Sequence, residues 1–257
     1  MMTPTPPVES RASARFDATV CGMRPLATKR AVKWVILTIV TPLAVSLCAA
    51  NLYLALWYAR MNMAGTPHHG PPPAPVIQQG VLLTAGVGLW FTVFLWWFLH
   101  RKENAFAALY ATRTSQLWQD LGIGLLGGAF WIAIYGLIGW PPFSAMFVLN
   151  QAKLASLPAS LSAGFCEEFL FRGFLILVIA RAGGGRKAQI IWSSLAFGLA
   201  HVLWGPVGML FTVALGASFA LVTLWRGNVW AAVTAHTLLN LWIEPGLMEM
   251  AFRHAQG

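Results

Sequence analysis

Three ionisable residues stand within a short stretch of an otherwise apolar run, Gly164-Phe165-Cys166-Glu167-Glu168-Phe169-Leu170-Phe171-Arg172-Gly173. Each such group at the middle of a membrane helix costs roughly 2.5–3.5 kcal/mol on insertion scales, so the three need compensation or a purpose. Helical spacing supplies part of it. Glu168 and Arg172 are four residues apart with the acid first, on one face, and are expected to pair. Glu167 lies about 100° around the helix from Glu168. It lacks that local partner and must find one on another helix, or in water. Two later apolar runs carry candidates: His201 in Phe197-Gly198-Leu199-Ala200-His201, and His236 and Asn240 in His236-Thr237-Leu238-Leu239-Asn240. Four-residue spacing puts His236 and Asn240 on one helix face, and Phe197 and His201 likewise share a face.

If these three runs pack together, they form a polar cluster around Glu167. A carboxylate in a low-dielectric site makes a good general base. With His201 it could hold and deprotonate a water, while His236 and Asn240 donate hydrogen bonds to an oxyanion forming on a peptide carbonyl. These are parts for amide hydrolysis without a covalent intermediate. The chain has no GxSxG and no HExxH. Two histidines and Glu167 could still bind a zinc with an open position, so metal-free and zinc versions (Glu167, His201, His236 as ligands) both stand at this level. The remaining histidines, His68, His69, His100 and His254, fall in a Pro-rich loop, at a span end and near the terminus, and read as solvated.

The order Glu167-Glu168-xxx-Arg172, Phe197-xxx-His201, His236-xxx-Asn240 resembles the three-motif signature of the CAAX protease and bacteriocin-processing (CPBP, or Abi) family, which includes the type II CAAX prenyl endopeptidases. The resemblance covers roughly residues 159–245. It implies an α-helical intramembrane endopeptidase with Glu167 as catalytic glutamate and His201 as its water-activating partner. His236 and Asn240 would form the oxyanion site, and Glu168 and Arg172 a supporting ion pair. The resemblance implies a membrane-associated protein or lipidated peptide as substrate, the prenylated CAAX-like class included. Two other readings remain: a non-catalytic bacteriocin-immunity or membrane scaffold protein of the same family, and a proton- or ion-coupled transporter, since buried Glu and His also serve as proton relays.

The elements that must position these residues follow from composition. Of 257 residues, 58% are hydrophobic and 10% charged, too few charges to cover a soluble globule. The chain reads as an all-α, polytopic transmembrane bundle of about seven spans. These are residues 34–59, 80–99, 121–139, 159–180, 188–204, 207–225 and 228–245. Residues 143–158 read as an interfacial or re-entrant connection, because they are short and broken by proline. Residues 1–33 read as a disordered cytoplasmic tail, 34–120 as two accessory spans with loops, 121–247 as the catalytic membrane core and 248–257 as a tail.

The net charge of +9 is mostly an orientation signal. With the N-terminus inside, Lys29, Arg30, Lys33, Arg181, Arg186, Lys187 and Arg226 all fall on the cytoplasmic side, whereas Arg60, Lys153 and Arg253 fall outside. Nucleic acid is not an expected partner; the bilayer is, and a bacterial plasma membrane is the expected location. This orientation sets Glu167 and His201 toward the outer half of the membrane. Trp34, Trp57, Trp97, Trp118, Trp140, Trp204 and Trp225 lie near span ends, as in an interfacial belt. Gly124 and Gly128 have the small-xxx-small spacing of close helix packing, with dimerisation the lesser alternative. Cys48 and Cys166, inside apolar runs, read as packing residues; with Cys21 they make no disulfide framework or metal motif.

Overall fold

The computed structural model describes residues 25–66, 73, 76, 86, 88–98, 114–138, 151–202 and 205–242. Among them every regular element is helical and no strand occurs. We number the helices α1 (Thr28–Met63), α2 (Gly88–Phe98), α3 (Thr114–Ile138), α4 (residues 151–181), α5 (Arg186–Ala200), α6 (Gly205–Arg226) and α7 (residues 230–242). The sequence's seven expected spans each fall on one of these. By length and composition, α1, residues Ser115–Ile138 of α3, and α6 are long and apolar enough to cross a membrane. His68, His69, His100, His254, Cys21, Trp140, Trp204 and both chain ends lie outside the described residues.

Two boundaries differ from expectation. The first helix begins at Thr28, so residues 28–33 are helix rather than tail. Lys29, Arg30 and Lys33 are good helix formers and are exposed. The Leu26 N–H donates to the Arg181 carbonyl at 2.9 Å, tying this end down. The second difference is that residues 151–158, expected in a broken connection, are the first turns of α4, which runs through Pro158. Proline removes one backbone hydrogen bond, and here the helix continues past it.

Helix α4 is the centre of the bundle. Residues Phe169–Leu175, all buried, form a π-helical segment between the α-helical Gln151–Glu168 and Ile176–Arg181. A helix apolar on every side belongs in a core, and Leu170, Leu175 and Ile176 are fully buried. π-Segments often mark functional sites; this one begins directly after Glu168 and contains Arg172.

Close approaches at glycine set the neighbours. A Cβ on Gly124 of α3 would lie 2.6 Å from the Ala231 carbonyl of α7, and one on Gly128 would lie 3.1 Å from that of Ala235. The small-xxx-small face therefore packs α3 onto α7 within the chain. On α4, a Cβ on Gly164 would lie 3.0 Å from the Thr237 nitrogen, which brings the Glu167–Glu168 turn against α7. Gly198 lets α5 meet Met209 of α6 in the same way.

Outside this core, Trp34 of α1 meets Trp96 of α2 edge-on at 4.8 Å between ring centroids, and Trp96 stacks on Phe174 of α4 at 5.4 Å. Trp34 is thus a packing residue rather than a member of an interfacial belt, whereas Trp97, Trp118 and Trp225 are exposed. Cys48 is exposed on α1 and does not pack in the core; Cys166 is fully buried.

Candidate active site

The sequence places Glu168 and Arg172 one turn apart, and in the structure Arg172 Nη1 donates to Glu168 Oε1 at 3.0 Å with both side chains fully buried. The surroundings of Arg172 are built by α5 and α6. Its Nη2 donates to the Gly216 carbonyl at 3.2 Å. Its guanidinium lies over the Phe197 ring at 4.3 Å and near Phe219 at 5.4 Å, positions where aromatic faces attract a desolvated cation. Gly216 makes room for this. A Cβ there would stand 3.2 Å from Arg172 Nη2 and 3.1 Å from Phe197.

Glu167 points to a different place. Its Oε2 is 3.7 Å from His201 Nε2 and 3.8 Å from His236 Nε2, so α4, α5 and α7 converge there. That oxygen is buried and has no hydrogen-bond partner among the described residues. The histidines are held from behind. His201, in the C-cap position of α5, has Nδ1 2.8 Å from the Phe197 carbonyl. A carbonyl only accepts, so Nδ1 carries a proton and Nε2 faces Glu167. His236 has Nδ1 2.8 Å from Glu168 Oε1. Glu168 therefore serves Arg172 and His236 together, a link that sequence spacing did not reveal. No local periodicity relates positions on α4 and α7.

Separations near 3.7 Å exceed direct hydrogen bonds and suit one bridging water. A water there could donate to Glu167 and to one imidazole and keep a lone pair for attack on a carbonyl. For His236 to donate from Nε2 as well, the ring must carry both protons. Asn240, one turn along α7 on the face of His236, is half-buried. A zinc ion was one sequence-level expectation for Glu167, His201 and His236. Among the described residues, however, no group of three His, Cys, Asp or Glu side chains is arranged to hold a metal ion.

A second polar cluster went unseen in the sequence. Arg226 Nε donates to Asp120 Oδ1 at 2.5 Å, and Asn228 Nδ2 donates to Asp120 Oδ2 at 2.7 Å. Asp120 is fully buried. It directly precedes the apolar run of α3 and drew no reading from the sequence, while Arg226 reads there as an orientation marker.

Residues 149–242 match the family described as Type II CAAX prenyl endopeptidase Rce1-like. The match runs from just before α4 through α7 and so contains all seven residues named in the sequence motifs; α1 to α3 lie outside it. No curated protein and no solved structure matches the chain.

Proposed function

From the match of residues 149–242 to the Rce1-like, type II CAAX prenyl endopeptidase family, we propose that this integral membrane protein is an intramembrane endopeptidase. Its substrate in this reading is a membrane-associated protein or lipidated peptide, with a prenylated CAAX-like tail the leading class. The observation that carries the reading is the convergence of His201 Nε2 and His236 Nε2 on Glu167 Oε2, at 3.7 and 3.8 Å.

Glu167 acts as general base on a water that His201 Nε2 helps to hold. The resulting hydroxide attacks the peptide carbonyl. His236 and Asn240 stabilise the oxyanion, and the proton taken by Glu167 passes to the departing amine. Glu168 and Arg172 support the site. The cation-bearing end, where Leu26 meets Arg181, lies on the cytoplasmic side in this reading. Glu167 precedes Arg181 by enough helix to sit about 20 Å from that end, so a cytosolic tail must reach deep into the bundle.

Cleavage of a CAAX-terminated, prenylated reporter peptide by purified protein in detergent or proteoliposomes tests the proposal. Glu167→Ala and His201→Ala are each expected to abolish cleavage while the protein still inserts. Full activity of both variants on a confirmed substrate sinks the mechanism. A biological phenotype that survives Glu167→Gln would favour the immunity or scaffold reading instead.

A further inference from the structure

Glu168 reads most simply as a counter-ion for Arg172. The geometry points to a second role: we infer that Glu168 is a positioning residue that fixes the direction of His236 and holds a proton on its Nδ1. This deepens the endopeptidase reading and rests on it for the word positioning, though not for the contact itself.

The argument starts from one oxygen. Glu168 Oε1 accepts from Arg172 Nη1 at 3.0 Å and lies 2.8 Å from His236 Nδ1. The Arg172 ion pair keeps Glu168 an acceptor, so the shorter contact is an Nδ1–H donated by the ring. A ring held by Nδ1 has its Nε2 aimed the opposite way, and that atom faces Glu167. Phe219, 5.4 Å away and tilted 33°, and Phe197, edge-on at 5.7 Å, pack the ring's sides. Glu168 is held in turn, because Gly216 and Phe197 fix the guanidinium that fixes it. The two histidines are thus held by unlike groups, His201 by a backbone carbonyl and His236 by a side chain that substitution can remove.

The experiment must separate this role from charge pairing. Glu168→Leu with Arg172→Leu removes both charges together, and replacing a buried pair by apolar residues is often neutral for stability. Nitrogen-15 NMR of histidine-labelled protein reads the tautomer, and reporter cleavage reads kcat and KM. In the wild type, His236 Nδ1 is expected to carry a proton. In the folded double variant that preference for Nδ1 is lost and kcat falls about 100-fold, a size typical of residues that orient a reacting ligand, with KM little changed. A folded double variant with wild-type kcat and an unchanged ring overturns the inference. Should the double variant not fold, the wild-type spectrum still decides: an Nε2–H ring with bare Nδ1 refutes it. A wild type with the inferred ring but no cleavage of any substrate sinks the endopeptidase reading and leaves the Glu168–His236 contact standing.

Discussion

Asp120–Arg226 and Glu168–Arg172 are both buried carboxylate–arginine pairs, yet their surroundings differ in completeness. Asp120 has both oxygens partnered, Oδ1 by Arg226 and Oδ2 by Asn228. Arg226 also donates to Gln119 at 3.2 Å, and its carbonyl accepts from Gln116 at 3.3 Å. Asn228 Oδ1 accepts from the Trp230 N–H at 3.0 Å and so caps α7. Around Glu168, by contrast, Glu167 Oε2, Glu168 Oε2, Arg172 Nε and Thr237 Oγ1 are buried without partners among the described residues. Buried polar atoms are nearly always satisfied, and an incomplete network in low dielectric is costly. The first cluster therefore reads as a lock joining α3, the end of α6 and the start of α7. The second is, in the proposed reading, where a water and a substrate carbonyl bind.

That comparison can be broken by substitution. Glu167→Gln should have the largest effect on activity, a loss on the order of 10⁴-fold, the upper range for a general base, with the melting temperature unchanged. A parallel drop in melting temperature would make Glu167 part of a lock as well. Asp120→Ala should do the opposite. It leaves Arg226 buried without its carboxylate and is expected to cost about 3–5 kcal/mol of stability, while the folded fraction keeps its kcat; denaturation monitored beside cleavage checks both. If kcat falls in protein that is fully folded, the two clusters are not functionally separate.

Gly216→Ala crowds Arg172 and Phe197 and should cost about 1–3 kcal/mol. Here kcat should fall as well, because the strain enters the open cluster. Asn228→Ala removes the cap of α7 and one partner of Asp120, for about 1–2 kcal/mol, and kcat should hold.

Much of the bundle was legible from one dimension. Uncharged runs located the helices because a membrane core tolerates few charges. Glu168 and Arg172 could be paired on paper because a four-residue step closes one turn. Asp120 was missed for a related reason: its partners lie more than a hundred residues away, and a carboxylate beside an apolar run resembles a solvated flank. The start of α1 was set too late because exposed Lys29, Arg30 and Lys33 were read as tail, although such residues extend a helix readily. Pro158 was read as a break, but α4 passes through it.

The sequence by itself determined an all-helical membrane protein, the polar residues in its apolar runs and the pairing within α4, since these depend on composition and local periodicity. Only the tertiary structure decided that Glu167 faces both histidines, that Glu168 holds His236, and that Asp120 meets Arg226. Those contacts depend on how helices cross. The crossings are set where Gly124, Gly128, Gly164, Gly198 and Gly216 let one backbone approach another, and no spacing along a single helix encodes which partner will fill the space.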